Sequence, residues 1–463
     1  MKTVVQYLVK PGHYNTLCQY AAENANLAKN LYNAALFRIR QTFTGWKKAS
    51  RSANEQEVFT ELANTEAAYP SLVIRQRLSY KALDKIMRVN KNPDFFAGLP
   101  MQTAQAVLKQ ASSDFENWLR ALSDYKKHPD KYIGRPRMPK YKTSEHAAFT
   151  VTNQNAVIYP AYDSGGNQIP DCIRLKLPGL NKKDYPVFHG FRTDGCLKQV
   201  TVKPYCGCYI FSLVIESPDV PVRTDLPNMA GLDLGTDNIA ALACTDGSSA
   251  VFKGGAVLSE NRWFAKKRAD AVSDITRGHE RIFAESAYLD RLSLRHSFRN
   301  RNFMHQCSRR IIDWCLEHGV GVLVIGRNKR WKQNSDMGKR NNQKFVSVPH
   351  YQLLQLIEFK AMKAGIQVIE QEESFTSKAD ISASDFMPVY GMDKGTSCVF
   401  SGRRVKRGLY RTHAGYLINA DCNGAANILR KAVPDAWKGI SDFRFLGFPE
   451  SFSYKRIIGA ACR

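Results

Sequence analysis

The stretch Gly231-Leu232-Asp233-Leu234-Gly235-Thr236-Asp237-Asn238 sets one carboxylate inside an apolar run that begins upstream at Met229. A short apolar run ended by Gly, Asp and Asn reads as a strand covered on both faces. A carboxylate buried there is costly unless it is paired, hydrogen-bonded or bound to a cation. Taken alone, an Asp satisfied by backbone amides at a strand end is the plainer reading. Working outward, Ile239 to Cys244 and Ala250 to Lys253 follow closely enough to be hairpin strands. Val322 to Ile325 and Ile366 to Ile369 are two more strand candidates, each reached through a long helical pattern.

Three strands joined by hairpins, then two reached through helical crossovers, is the order expected of an RNase H-like α/β sheet. Helices predicted from about 260 to 319, from 350 to 364 and from 422 to 432 cover it. Before Pro218, Pro221 and Pro227 the pattern is different. Leu17, Tyr20, Leu27, Leu31, Ala34 and Ala35 recur at helical spacing, as do Val107, Leu108, Ala111, Phe115, Trp118, Leu119 and Leu122. Residues 13 to 125 therefore read as helical. From 126 to 142, seven Lys and Arg face the single acid Asp130, and Pro136 and Pro139 forbid a regular helix, which makes a basic extended strap. Short β-branched runs from 143 to 217 read as a small antiparallel barrel or sandwich.

Composition narrows the function. The 463 residues carry 67 Lys+Arg against 42 Asp+Glu, a net charge of +25 and a pI of about 9.6. That length suggests two to four domains, each able to bury a core without disulfides. Hydrophobic content of 44% and aromatics at 11% exclude wholesale disorder. So large a positive charge calls for a polyanionic partner, nucleic acid ahead of an anionic membrane. No apolar run is long enough to span a bilayer, and the opening Met1 to Lys10 is too briefly apolar for a signal peptide. The expectation is a soluble cytoplasmic protein, nucleoid-associated, whose eleven cysteines are reduced thiols.

Near the end, Ile418-Asn419-Ala420-Asp421-Cys422-Asn423-Gly424-Ala425-Ala426-Asn427 puts Asp421 in the first turn of a helix whose packing face is small. Asp421 as a simple N-cap is the plainer reading. Small residues also let that helix lie against the sheet, bringing Asp421 towards Asp233. Two such aspartates can hold Mg²⁺, which keeps oxygen ligands and several waters. Two ions about 3.5 to 4 Å apart would activate water and stabilise the leaving oxygen in phosphodiester hydrolysis.

These motifs are joined by the strap Arg135-Pro136-Arg137-Met138-Pro139-Lys140-Tyr141-Lys142 and by Phe400-Ser401-Gly402-Arg403-Arg404-Val405-Lys406-Arg407-Gly408-Leu409-Tyr410-Arg411. In that combination the chain resembles the transposon-encoded TnpB proteins, RNA-guided DNA endonucleases with a RuvC-like domain that are related to type V CRISPR effectors. The resemblance implies a multidomain α+β protein with a helical recognition lobe, a β-barrel wedge domain and an RNase H-like (RuvC) α/β nuclease domain. Residues 1–12 would give the first strand of the wedge, 13–125 the recognition lobe, 126–227 the strap and wedge barrel, 228–435 the nuclease domain and 436–463 a C-terminal tail. Asp233 would be the first RuvC aspartate and Asp421 the last, holding two Mg²⁺ ions that Mn²⁺ can replace.

Two departures from the family matter. Gly326, in Val322-Leu323-Val324-Ile325-Gly326-Arg327-Asn328, stands where the family places its middle glutamate. A TnpB subgroup resembling this chain has that carboxylate on the next strand, where this sequence offers Glu370-Gln371-Glu372-Glu373. Glu373 is favoured, with Glu372 close behind, and strand alternation puts them on opposite faces so that one serves. The plainer reading makes them a solvated strand end. The family's zinc-binding CxxC pairs are missing, since only Cys398 lies between 373 and 421, so no zinc is expected. Cys206-Gly207-Cys208 is too tight to replace them, and His305 reads as a packing residue.

Basic clusters complete the reading. Arg327, Lys329, Arg330, Trp331 and Lys332 interleave cations with an aromatic, as do Arg135, Arg137, Lys140, Tyr141 and Lys142, and Arg403, Arg404, Lys406 and Arg407 add a third cluster. The expected function is an RNA-guided DNA endonuclease: a non-coding guide RNA pairs with double-stranded target DNA beside a short flanking motif, and Asp233, Asp421 and Glu373 or Glu372 cut it with Mg²⁺. The rivals are a nuclease-dead RNA-guided repressor, which Gly326 favours, and a guide-free RNase H-type transposase or nuclease.

Overall fold

The first strand, Lys2–Val9 (β1), pairs antiparallel with a strand about two hundred residues away, Cys208–Glu216 (β7), so the start of the chain is built into a sheet with the end of its first half. The computed structural model describes residues 1–463 apart from 145–146, 283, 328–346, 384, 390–398 and 460–463. Its contacts fall into two units, Met1–Pro218 and Asp219–Arg463.

In the first unit, β1 and β7 belong to a sheet ordered β1-β7-β6-β2, with β2 at Phe149–Thr152 and β6 at Cys196–Tyr205. A second sheet contains Val157–Tyr162 (β3), Gln168–Lys176 (β4) and Val187–His189 (β5). The expected barrel is corrected: among the described residues these are two open sheets of four and three strands. In neither sheet do the two edge strands pair, β1 with β2 or β3 with β5, so no ring of hydrogen bonds closes. Four helices, Asn15–Gly45 (α1), Ala53–Ala68 (α2), Tyr80–Val89 (α3) and Met101–Lys127 (α4), fill residues 15 to 127. Ser52 starts α2 with a capping box to Glu55, and the Ser79 hydroxyl accepts from the Ala82 amide to start α3. Helix residues such as Leu31, Leu36 and Leu108 share one core with the strand residues Val151, Val200 and Phe211.

The second unit is built on a six-stranded sheet ordered β12-β11-β8-β9-β10-β16. Asn228–Asp233 (β8), Asn238–Cys244 (β9) and Ser249–Lys253 (β10) run antiparallel as successive hairpins, while Val320–Gly326 (β11) and Gln367–Gln371 (β12) are parallel to β8. Gly255–Thr276 (α5) and Ala287–Glu317 (α6) connect β10 to β11, and His350–Lys363 (α7) precedes β12. Strand alternation splits the buried side chains between two cores. Leu232, Leu242, Leu323 and Ile325 pack towards α6 and α7. Ala241, Ala243 and Val324 pack towards Ala420–Ala432 (α8). Gly231 faces α8 as well, and a Cβ there would run into the Ala425 carbonyl, so the small residues of both elements let the helix lie on the strand.

Residues after α8 extend this sheet and its core. Glu450–Phe452 (β16) adds a strand parallel to β10, Phe452 stacks on Phe252 with centroids 4.5 Å apart, and Leu446 and Trp437 are buried beside α8. A basic three-stranded ribbon, Arg403–Lys406 (β13), Leu409–Arg411 (β14) and Leu417–Asn419 (β15), leads directly into α8.

Candidate active site

Asp233 ends β8, and the alternation that turns Gly231 towards α8 turns Asp233 the same way. Asp421 lies in the first turn of α8. The cap of that helix is Asn419, whose Oδ1 accepts from the amides of Asp421 at 2.9 Å and Cys422 at 3.2 Å. The Asp421 carboxylate is thereby left to other partners. Asn238 Nδ2 donates to its Oδ2 at 2.7 Å, and an Arg404 guanidinium nitrogen stands 3.4 Å from Oδ1. One turn along α8, a Cβ on Gly424 would come within 2.8 Å of Asp233 Oδ2. The Asp233 carboxylate thus rests on the backbone of the helix end that carries Asp421.

The third carboxylate is Glu373. Its Oε2 lies 2.5 Å from where a Cβ on Gly326 would sit, and Ile428 Cδ1 is equally near on the other side. The glycine at the end of β11 makes the space that this carboxylate occupies. Glu372 has a different occupation: Lys431 donates to its Oε2 at 2.6 Å and the Ser374 amide to its Oε1 at 2.8 Å. Alternation does not separate the two glutamates, because β12 ends at Gln371 and both lie beyond the strand, just before a turn. The segment carrying Glu373 is clipped to α8 by two fully buried asparagines one helical turn apart. Asn423 Nδ2 donates to the Ala379 carbonyl at 2.8 Å, and Asn427 Nδ2 donates to the carbonyls of Thr376 at 3.0 Å and Ala379 at 2.7 Å.

The electrostatics tie the three acids together. Burial, and then the charge of Asp421, push the Asp233 carboxyl up to about 7, against a lowering pull from Arg404. Burial, then Asp233 and Glu372, push Glu373 up to about 8, with Lys431 pulling it down. Asp233 is therefore the electrostatic neighbour of both other acids. For Glu372, burial acts upward, but the hydrogen bonds from Lys431 and Ser374 outweigh it and hold the carboxyl below its ordinary value. Among the described residues no three His, Cys, Asp or Glu side chains already form an ion cage. Like charges brought together in partial burial repel, and the donor set is all hard carboxylate oxygen, the chemistry that suits Mg²⁺.

The basic residues fall at different distances from these acids. Arg404 of β13 faces Asp421, Arg407 pairs with Asp237 at 2.5 Å, and Arg403 and Lys406 are exposed on the same ribbon. Arg327 is taken up by Glu370, with its guanidinium over the Tyr351 ring. Lys329, Arg330, Trp331 and Lys332, like Cys398, lie outside the described residues. In the first unit, Arg135, Arg137 and Lys140 are exposed along the strap. Tyr141 packs under Arg40, while the half-buried Lys142 ammonium sits 3.8 Å from the Tyr32 ring centroid. Lys142 also has its backbone bonded to Asn33, which makes it an anchor of the strap. His305 is a packing residue: burial, then Lys360 and Arg301, hold it down at about 4.

Sequence reasoning passed over Asn238, Asn419, Asn423, Asn427 and Lys431. Only the pair Asn423 and Asn427 carried a legible signal, two amides at helical spacing among alanines.

Comparison with known proteins bears on the same residues. The OrfB_IS605 family, described as a probable transposase, matches residues 212–332, and the Cas12f1-like TNB domain matches 350–428. The TnpB-like protein ORF457 of Acidianus two-tailed virus is 28% identical over 216 residues, covering 44% of this chain and 42% of the relative. The CRISPR-associated endodeoxyribonuclease Cas12f1 of Sulfoacidibacillus thermotolerans is 30% identical over 139 residues, 30% of this chain and 28% of the relative. The chain is a relative of the TnpB and Cas12f1 proteins. The matched stretches span less than half of either relative's length. Among solved structures, the Cas12f1-sgRNA-target DNA complex overlaps 92% of this chain at 13% identity with a TM-score of 0.33, and the mini-RNA-guided endonuclease CRISPR-Cas_phi3 overlaps 98% at 10% with 0.44. No helix among the described residues is long and apolar enough to cross a membrane.

Proposed function

We propose that the chain is an RNA-guided DNA endonuclease whose RuvC-type site works with Mg²⁺. The observation that carries this reading is the meeting of Asp233, Asp421 and Glu373, from three separate parts of the chain, at one end of a sheet whose strand order is that of RNase H-like folds. Asp233 and Asp421 would hold metal, with Glu373 completing the oxygen set. The bound ion would supply Lewis-acid stabilisation of the phosphate and a water ionised near neutral pH. The chain's own part is to hold that oxygen set. Asn238 and Arg404 orient Asp421, Asn423 and Asn427 fix the segment of Glu373, and Lys431 keeps Glu372 away.

Gly326 no longer favours a nuclease-dead repressor, because its missing side chain is what accommodates Glu373. The basic ribbon at 403–407 and the exposed strap cations suit a nucleic-acid backbone, and the CRISPR-associated endodeoxyribonuclease among the similar proteins supports a DNA target. Two measurements test the reading. Sequencing the RNA that copurifies with the protein should return one defined species, and its absence would reject guiding. Cleavage of a randomised target library should need Mg²⁺ and cease in Asp233→Ala, and cleavage that persists would reject the site.

A further inference from the structure

The geometry points to His350 as a positioning residue for the turn that carries Asp233, an inference that rests on reading Asp233 and Asp421 as the ion's ligands. His350 opens α7 and is 2% exposed, with Nε2 lying 2.7 Å from the Gly235 carbonyl oxygen. A carbonyl only accepts, so Nε2 carries the proton of this bond. Gly235 stands two residues beyond Asp233 in the turn joining β8 to β9. That turn has little slack: a Cβ on Gly235 would come within 2.6 Å of the Asn238 carbonyl, and the Gly254 amide donates to the Asp237 carbonyl at 2.8 Å. Asp233 is at one end of the turn. At the other is Asn238, which donates to Asp421. One bond to the middle of a tight turn therefore sets both aspartates together.

His350 is itself held from the scaffold. Asn261 of α5 donates to the Ser347 carbonyl at 2.9 Å, and its Oδ1 takes contacts of 2.8 Å from both Asn300 and His296 of α6. The segment 347–350 is thus pinned to two long helices before it reaches the turn. Outer-shell groups of this kind orient metal ligands without touching the ion.

The test is Mn²⁺ binding to the full-length protein, read from the EPR signal of unbound ion, with melting temperatures alongside. Gln at 350 carries an amide nitrogen at the depth of Nε2, whereas Asn stops short of Gly235. We expect H350Q to bind within about two-fold of the unsubstituted protein, H350N and H350F to bind about ten-fold more weakly, and D233A to lose the site. Equal affinity for His, Gln and Asn, or equal weakening by Gln and Asn, overturns the positioning role and leaves the metal site standing. An unsubstituted protein with no Mn²⁺ site sensitive to D233A overturns the site and this inference with it. Should H350F melt early, the Gln and Asn pair decides.

Discussion

Gly326→Ala is the smallest change that tests why a glycine stands at the end of β11. The added Cβ would lie 2.5 Å from both Glu373 Oε2 and Ile428 Cδ1, where ordinary contact begins at 3.4 Å, so a neighbour must retreat by about 0.9 Å. Ile428 is fully buried between α8 and the sheet and has little room to give. The displacement therefore falls largely on the Glu373 carboxylate. Misplacing a catalytic group by about 1 Å costs up to about 100-fold in rate, while overpacking of this size costs about 1–3 kcal/mol in stability. Single-turnover cleavage at saturating Mg²⁺ should fall by at least about ten-fold in G326A, while the melting transition stays cooperative. Calorimetric unfolding on the same preparation separates the two effects. A G326A protein that cuts at the original rate would refute the placement of Glu373 in the site.

Three further outcomes follow from the same geometry. Asp233 and Glu373 have folded-state values raised to about 7 and about 8, above the ordinary carboxyl range, so the metal-free protein loses stability as pH rises through that window and gains most from Mg²⁺ above it; melting curves at pH 6 and pH 8.5, with and without Mg²⁺, check the sign, and the half-saturating Mg²⁺ concentration should drop across the same interval. Lys431→Met removes the partner of Glu372 and a cation beside Glu373, so it should cost about 1–3 kcal/mol in chemical denaturation and move the rising limb of the pH-rate profile upward. Replacing Arg135, Arg137 and Lys140 together by Ala should flatten the dependence of log binding constant on log salt by about two to three, read by titration at several ionic strengths with RNA or duplex DNA.

Much of the second unit was legible because its chemistry is local. The five strands around Asp233 announce themselves as apolar runs, and their order follows from which connections are long enough to hold helices. Asp233 and Asp421 stood out as acids in apolar or small-residue surroundings. What failed to show depended on tertiary packing. Glu450–Phe452 is too short for alternation to be read, and it becomes a strand only through pairing with β10. The barrel expectation failed because strand runs reveal pairing capacity but not whether the edges meet. The choice between Glu372 and Glu373 could not be made from alternation, since the strand ends before either. Lys431, more than fifty residues away, binds Glu372, while Glu373 is the one that feels the charge of Asp233.

Any side chain at 326 intrudes on the Glu373 carboxylate as it now stands. The two positions are consequently alternatives: a carboxylate can reach this cluster from β11 or from the segment after β12, but the second arrangement needs the first strand to end bare. A survey that sorts such proteins by the residue aligned with 326 alone would overlook the carboxylate that fills the space beside it, and the column worth inspecting lies 47 positions downstream.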